Sequence, residues 1–271
     1  MLLTIATWNI NSVRLRIDLV AKFVKAVRPD VLCLQETKCP DDRFPLKRFR
    51  RLGYAHAALN GQKGYHGVVV LSRVPFDSFT ALDFCGKQDC RYVRAVLGKT
   101  AGLREPLTVH NFYVPAGGDV PDPAVNVKFA HKLAFLDEMR SHAGLRPNAS
   151  EHAILLGDLN VAPLEHDVWS HRQMLRVVSH TPVECEKLHA VRESGGWIDA
   201  MRMAVPEPAK LYTWWSYRAP DWEAADKGRR LDHIWVAPAL APRMTDLKVR
   251  KSLRRGPRPS DHVPVIAAFD L

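Results

Sequence analysis

An unbroken apolar run that stops at polar residues, 153–160 (Ala-Ile-Leu-Leu-Gly-Asp-Leu-Asn), constrains this chain more than any other stretch. Four apolar residues without alternation predict a strand that is covered on both faces. Asp158 and Asn160 follow at the point where this strand gives way to a loop. Loops at strand ends are where α/β enzymes place reacting groups, but Gly, Asp and Asn are also common in turns. On this stretch alone, a site and a turn are equally good interpretations.

The same pattern recurs along the chain. Further strands are predicted at 2–8, 31–35, 68–71, 92–97, 107–112, 212–217 and 230–236. Helical spacing indicates helices near 20–27 and over 124–143, the second with one apolar face formed by Val125, Phe129, Leu133, Leu136 and Met139. Some ten or more strands exceed what one twisted open sheet usually holds. We therefore expect an α/β fold in which two sheets pack face to face and helices cover the outer faces.

Composition bounds the class of protein. Of the 271 residues, 46% are hydrophobic and 25% charged, and no linker divides them, so we expect one globular domain over residues 1–271. The amino terminus carries no basic leader, and no apolar run approaches the roughly 20 residues that cross a bilayer. Five cysteines form no CxxC pair. We expect a cytoplasmic protein with reduced thiols and no membrane partner. A net charge of +10 favours polyanions without naming one.

Seven polar residues adjoin predicted strands. Asn9, Glu36, Tyr113 and Asp158 follow or end a strand, Asp232 lies near the beginning of the strand 230–236, and Asp261 and His262 precede a last apolar stretch at 263–266. Because antiparallel neighbours bring one strand's end beside another's beginning, all seven can line one rim. Taken singly, each has an ordinary explanation, such as a solvated loop acid for Glu36 or a half-buried strand residue for Tyr113.

Acids that converge in a walled cleft repel one another unless a cation binds between them. Carboxylate and amide oxygens suit Mg²⁺ or Mn²⁺, and the chain has neither the cysteine pairs nor the HExxH helix of zinc sites. The first hypothesis is therefore a metal-dependent phosphohydrolase. A positioned base such as Asp158 supplies about 10²- to 10⁴-fold, so most of the rate must come from stabilising the phosphoryl charge. Asp232 is the expected partner that holds the His262 ring.

Nine short motifs lie in order from residue 8 to residue 262. They are Trp8-Asn-Ile-Asn11, Leu34-Gln-Glu-Thr-Lys38, Gly64-Tyr-His-Gly67 with Leu71-Ser-Arg73, Tyr113-Val-Pro115, Gly157-Asp-Leu-Asn160, Asp167-Val-Trp169, Thr213-Trp-Trp-Ser-Tyr217, Arg230-Leu-Asp-His233 and Ser260-Asp-His262. Together they resemble the exonuclease III family of apurinic/apyrimidinic (AP) endonucleases, within the endonuclease/exonuclease/phosphatase superfamily. The resemblance implies a four-layer α/β sandwich and a monomer.

The resemblance implies an enzyme that cleaves double-stranded DNA at the phosphodiester 5′ to an abasic site, often with 3′-phosphodiesterase and 3′ to 5′ exonuclease activity. It also implies a role at each matching position. The metal ligands would be Glu36, aided by Asn9 and Asp261. Asp158 would position or deprotonate the attacking water, and Asn160 would hold the scissile phosphate. The residues that stabilise the phosphate charge would be Tyr113 and His262, the latter oriented by Asp232.

Contacts with DNA are expected at six positions of these motifs: Asn11, Lys38, Tyr65, Trp214, Arg229 and Leu231. Trp214 and Leu231 would wall the pocket for the flipped-out sugar, where a missing base lowers the cost of extrusion. Two positions depart from the family pattern. The residue before Arg230 is often aromatic or aliphatic in relatives but is Arg229 here, which bears on pocket shape and abasic selectivity. After Pro115, relatives usually have Asn or Gln before glycine, and residues 116–118 are Ala-Gly-Gly.

Two rival hypotheses remain open from the sequence. A phosphohydrolase of the same superfamily could act on phospholipid or inositol phosphate, and a non-catalytic module could bind DNA without cleaving it. Lys38, the basic runs 43–51 and 250–258, and the paired Trp214 and Trp215 favour DNA, because duplex contact needs several phosphate-neutralising cations. Competent residues at every expected catalytic position argue against the non-catalytic module.

Overall fold

The structure is a computed structural model and describes residues 1–271. Its strands are β1 Leu2–Asn9, β2 Val31–Gln35, β3 His56–Asn60, β4 Val68–Ser72, β5 Ser78–Ala81, β6 Tyr92–Leu97, β7 Leu107–Tyr113, β8 His152–Asp158, β9 Ile198–Asp199, β10 Trp214–Trp215, β11 Gly228–Arg229, β12 Asp232–Val236, β13 Met244–Val249 and β14 Val265–Asp270. Its α-helices are α1 Ile17–Val27, α2 Leu46–Arg51, α3 Val127–Ser141, α4 His171–Met174, α5 Pro182–Ser194, α6 Ala200–Ala204 and α7 Trp222–Ala225. Short 3₁₀ helices lie at Asp41–Arg43, Lys99–Ala101, Ala143–Leu145, Glu165–Asp167, Ala241–Arg243 and Lys251–Arg254.

Two six-stranded sheets are each built around one parallel pair of strands. The first sheet has the order β13-β14-β1-β2-β4-β3 and is parallel only at β1–β2. The second has the order β5-β6-β7-β8-β12-β9 and is parallel only at β7–β8. The short strands β10 and β11 form a separate antiparallel pair. The sheets thus share a pairing pattern, although the sequence shows no repeat.

Three apolar clusters place the helices on the outer faces of the sheets. The two sheets pack against each other through a cluster of 26 buried residues that includes Ile5 of the first sheet and Ile234 of the second. Phe23 of α1 packs on the outer face of the first sheet, and Phe135 of α3 packs on that of the second. The predicted fold, two mixed β-sheets flanked by helices in a four-layer sandwich, is confirmed. No helix in the structure combines the length and apolarity that crossing a membrane requires.

Two details of the sequence prediction are wrong. The aromatic stretch 212–217 forms a strand only at β10, because its backbone divides its hydrogen bonds between Arg229 on one side and residues 261–263 on the other. Val125 does not belong to the buried face of α3 and is 73% exposed. The side chain of Asn126 caps this helix by accepting hydrogen bonds from the first turn, so Val125 lies outside it. Lys132 occupies the buried face instead.

Candidate active site

The ends of the two parallel pairs meet at one rim of the sandwich. Asn9 ends β1, and Glu36 follows β2 directly. In the second sheet, Tyr113 and Asp158 are paired at the ends of β7 and β8. Asp232, at the beginning of the antiparallel strand β12, lies opposite Asp158. Strand ends and strand beginnings therefore share this rim.

One amide group joins the carboxylates of the two sheets. The Nδ2 of Asn9 donates to Glu36 Oε1 at 3.0 Å and to Asp158 Oδ2 at 2.8 Å. The Oδ1 of Asn9 accepts from the backbone N–H of Asn11 at 3.0 Å. In this conformation Nδ2 of Asn9 faces the two carboxylates, and Oδ1 faces the backbone of Asn11. The predicted role of Asn9 as a metal ligand would require the amide to rotate.

A second chain of hydrogen bonds runs from Glu36 to the loop before β14. Lys38 Nζ lies 2.8 Å from Glu36 Oε2 and 2.7 Å from Asn11 Oδ1. Asn11 Nδ2 donates to Asp261 Oδ1 at 3.1 Å, and Trp214 Nε1 donates to Asp261 Oδ2 at 3.0 Å. These contacts bring together five of the predicted site residues, although the sequence separates Asn11 from Asp261 by 250 positions.

Glu36 and Asp261 have the charge and the ligand atoms that a hard cation requires. Burial favours a raised pKa for Glu36, but Lys38 and the hydrogen bond from Asn9 hold that pKa below its ordinary value. Burial acts in the same way on Asp261, and His262 beside it lowers the pKa. Both carboxylates are therefore ionised at neutral pH, and both line one cleft. Oxygen donors without a thiolate fit Mg²⁺ or Mn²⁺.

His262 lies between two carboxylates. Its Nδ1 is 2.8 Å from Asp232 Oδ2, and its Nε2 is 3.6 Å from Asp158 Oδ2. Burial favours a lowered pKa for His262, but the two carboxylates outweigh it and raise the pKa to about 10. The ligand atoms of these three residues lie within 4.8 Å of one another, which is close enough for a metal site. An imidazolium carries protons on both nitrogens and cannot coordinate a metal, so we interpret the group as acid–base machinery.

Asp158 has the properties of a general base. Burial raises its pKa to about 7, with a further upward effect from Asp232, while His262 and Asn9 act in the opposite direction. Its Oδ1 accepts from the backbone N–H of Asn160 at 3.0 Å, which fixes the carboxylate from the loop side. A pKa close to the working pH is what a general base requires.

A buried ion pair fixes the backbone of Asn160. Asn160 Nδ2 donates to the carbonyl of Val114 at 2.8 Å, and the carbonyl of Asn160 accepts from Lys132 Nζ at 2.7 Å. Lys132 forms a salt bridge with Glu184, and neither side chain has any exposed surface. The pair connects α3 and α5 to the loop after β8. The sequence analysis missed it, and the available signal was a lysine among the apolar residues of α3.

Tyr113 is a buried hydroxyl that stays protonated. Burial and the nearby carboxylates of Glu36 and Asp158 raise its pKa well above 10. The guanidinium of Arg91 lies 4.9 Å from the centre of the Tyr113 ring, and Arg91 Nη2 lies 2.9 Å from His66 Nε2. Arg91 and His66 were not predicted as site residues, because nothing in their sequence neighbourhood points to Tyr113.

Uncharged side chains also position the site. Thr213 Oγ1 accepts from the backbone N–H of Leu231 and from that of Asp232, both at 3.0 Å. Ser260 Oγ donates to the carbonyl of Asn9 at 2.7 Å, which connects the loop before β14 to the end of β1. Hydroxyl residues are common in loops, so the sequence gives no signal that singles out these two.

The rim contains a cluster of residues with left-handed backbone conformation. Asn11, Glu36, Lys38 and Asn160 have φ values of 47°, 50°, 51° and 53°. This region is unfavourable for residues with a Cβ, and a residue held there costs about 1–3 kcal/mol. Such conformations persist only where surrounding contacts fix them, and they are concentrated at functional sites.

A cleft of about 760 Å³ opens beside these residues. Its lining includes seven of the predicted site residues: Glu36, Asn160, Asp261 and His262 of the catalytic and metal set, and Trp214, Arg229 and Leu231 of the DNA-binding set. Tyr65 is not part of this lining. It lies on the loop before β4 and is 70% exposed, so its contact with DNA stays a prediction.

Comparison with known proteins gives consistent matches over almost the whole chain. The sequence model of the Endonuclease/Exonuclease/phosphatase family matches residues 6–262. Exodeoxyribonuclease III of Haemophilus influenzae is 30% identical over 278 residues, which cover 97% of this chain and 98% of that protein. An AP endonuclease from Archaeoglobus fulgidus has a TM-score of 0.89 at 32% identity, over 99% of this chain and 100% of that one. The 3′ phosphatase NExo from Neisseria, solved with a product DNA hairpin, has a TM-score of 0.82 at 31% identity, again over 99% and 100%.

Proposed function

Because the chain belongs to the Endonuclease/Exonuclease/phosphatase family and matches repair nucleases along nearly its whole length, it is a DNA repair nuclease, and we propose that it hydrolyses the phosphodiester 5′ to abasic sites and removes groups from 3′ ends. We propose further that it requires Mg²⁺ or Mn²⁺ and acts as a monomer on double-stranded DNA.

The observation that carries this proposal is the convergence at Asn9. Its amide connects Glu36 of the first sheet to Asp158 of the second, and Asp158 in turn lies 3.6 Å from His262. A metal-binding carboxylate, a general base and a cationic donor are thus neighbours at the mouth of one cleft. This is the set of groups that hydrolysis of a phosphodiester needs.

The proposed reaction is attack of water on phosphorus. Asp158 accepts a proton from the water, the water oxygen forms the new P–O bond, and the bond from phosphorus to the 3′ oxygen breaks. That oxygen takes up a proton from water and leaves as a 3′ hydroxyl, while the phosphate stays on the abasic sugar. Three donors face the phosphoryl charge: the His262 imidazolium, the Asn160 amide and the Tyr113 hydroxyl. Donors fixed in advance in this way are usually the largest contribution to the rate.

Glu36 and Asp261 would hold the divalent ion, with Asn9 as a further ligand if its amide rotates. When bound, the ion neutralises charge on the phosphoryl oxygens. Lys38 is already positioned against Glu36, so the site has a cation of its own before any metal arrives.

The test compares three labelled duplexes, one with an internal abasic site, one with a recessed 3′ end and one with neither. We expect incision of the first and shortening of the second, loss of both in EDTA, and recovery with Mg²⁺ or Mn²⁺. Full activity in EDTA would contradict the metal assignment. Release of phosphate from anionic phospholipid vesicles or inositol phosphate, without cleavage of any duplex, would contradict the DNA assignment.

A further inference from the structure

Arg229 is a cation in the cleft that no carboxylate neutralises. It pairs with Trp214 across β10 and β11, and its guanidinium carbon lies 4.9 Å from the centre of the Trp214 ring. Its Nη1 donates to the carbonyl of Val178 at 3.1 Å and to Ser179 Oγ at 2.9 Å. The backbone pairing and these two hydrogen bonds fix the side chain in the wall of the cleft.

The charge on Arg229 is left uncompensated by its surroundings. No acidic oxygen lies within salt-bridge distance, and its Nε is buried without a hydrogen-bond partner. The carboxylate that acts on it most, Glu184, is already paired with Lys132. A guanidinium keeps its proton at any pH that a folded protein tolerates. The cleft therefore offers a fixed positive charge, and Nη2, which makes no hydrogen bond within the protein and is not buried, is the donor that remains available.

The location of this charge matters for the choice of substrate. Trp214 and Leu231 line the cleft where the proposed function places the sugar of a flipped abasic nucleotide. Arg229 lies over the Trp214 ring and lines the same cleft, so this sugar would adjoin a guanidinium as well as the aromatic surface. A deoxyribose is uncharged, so its oxygens offer only neutral hydrogen bonds in return for the water that a guanidinium loses.

A 3′-terminal phosphate differs from an internal phosphodiester in the groups attached to phosphorus and in its charge. No sugar follows the phosphorus atom, so the space beside Trp214 is free for an oxygen. The monoester also carries a second negative charge, and arginine binds phosphate oxygens through paired, charge-assisted hydrogen bonds.

We infer that Arg229 is a specificity-determining residue that favours DNA ends carrying a 3′-terminal phosphate monoester over internal abasic sites. The inference rests on the proposed function and names its preferred substrate class. Water forms the new bond to phosphorus, the bond to the 3′ oxygen breaks, and the products are a 3′ hydroxyl and inorganic phosphate.

The experiment measures kcat/KM on three duplexes that share one sequence: a 3′-phosphate at a nick, a 3′ hydroxyl at the same nick and an internal abasic site. We expect the wild type to prefer the 3′-phosphate. Arg229→Leu should lower kcat/KM on that substrate by about 10- to 100-fold, the effect of losing a charge-assisted hydrogen bond. Cleavage of the abasic duplex should stay equal or increase. Arg229→Gln, which can keep the hydrogen bond to Ser179, replaces the Leu variant if that variant does not fold.

Lys227 provides the matched control. Its Nζ lies 4.6 Å from the centre of the Trp169 ring in the same cleft. Lys227→Leu should change kcat/KM by the same factor on all three duplexes. The inference would be overturned if Arg229→Leu changed kcat/KM by the same factor on all three duplexes or left it unchanged. It would also be overturned if the wild type preferred abasic sites. Failure of the folded wild type on all three duplexes would instead overturn the proposed function.

Discussion

Asp158 and Asp232 lie directly opposite each other in neighbouring antiparallel strands, and the ring of His262 contacts the carboxylate of each. Two facing carboxylates repel each other unless a cation lies between them, and the His262 imidazolium is that cation. The two acids then have different environments. Asp232 holds Nδ1 of the ring, whereas Asp158 is shared with Asn9 and Asn160 and so faces the reacting groups.

Replacement of Asp158 by Asn should separate chemistry from binding. The amide keeps the shape of the side chain but cannot accept a proton from water, so we expect turnover to fall by at least about 10²- to 10⁴-fold, the contribution of a general base. Affinity for duplex DNA in EDTA should change little. Single-turnover cleavage and equilibrium binding are the measurements, with Asp246→Asn on the exposed strand β13 as the control. Loss of binding together with a lowered melting temperature would mean that Asp158 is structural.

The pH profile of kcat/KM should follow the titration of Asp158 and His262. The pKa of Asp158 is raised to about 7, so kcat/KM should increase with pH up to about 7 as the base loses its proton. His262 must stay protonated, and its pKa of about 10 keeps it so above neutrality. Asp232→Asn removes the carboxylate that contributes most to this upward shift, so the pKa falls and activity should be lost at lower pH than in the wild type. A variant profile that is only scaled down would show that Asp232 acts on position alone.

The strands that sequence patterns predicted are the interior ones. Runs such as 153–158 are buried on both faces, and their apolar residues give a clear signal. Within the two six-stranded sheets, the strands that were missed are β3, β5, β9 and β13, which are their four edge strands. An edge strand pairs on one side only and is partly exposed, as β5 and β13 are, so its sequence carries little apolar pattern.

The site was predictable where one residue adjoins one strand and unpredictable where two distant side chains meet. Asp232 could be assigned to His262 because both adjoin strands at the same rim. The stacking of Arg229 on Trp214 depends on the two-residue strands β10 and β11, which are too short to leave a pattern. Burial of Lys132 depends on a partner, Glu184, that lies 52 residues away. Such pairs are fixed by packing, not by local spacing.

Binding to DNA should weaken steeply with salt. Contact with 6 to 10 phosphates predicts a loss of about 10³- to 10⁵-fold in affinity between 50 and 200 mM salt. Titration of a labelled duplex at several salt concentrations gives the slope. A flat response, or competition by anionic vesicles, would favour the phospholipid or inositol phosphate alternative.

The residues of the basic run 250–258 should contribute unequally to the salt dependence of DNA binding. Lys251 and Arg255 are paired with acids, and Arg254 is 5% exposed and stacked on Tyr217. Arg258 forms no salt bridge, so Arg258→Ala should reduce the magnitude of the slope by about one phosphate contact. Arg254→Ala should instead lower stability. Equal slopes for the wild type and Arg258→Ala would place Arg258 outside the DNA contact.

Lys132→Met should destabilise the fold and weaken catalysis together. The substitution leaves Glu184 buried without a counter-charge, and breaking a buried pair in this way costs about 3–5 kcal/mol. It also removes the donor to the carbonyl of Asn160, so KM for DNA should rise. A smaller fraction of folded protein would lower the maximal rate and leave KM unchanged. Adding Glu184→Gln should recover part of the stability, because the unpaired charge is gone, but not the KM. Denaturant unfolding and steady-state kinetics test both effects, with Lys187→Met in an exposed pair as the control. A double variant that recovers KM as well would show that the unpaired charge of Glu184, and not the lost contact of Lys132 with Asn160, causes the increase in KM.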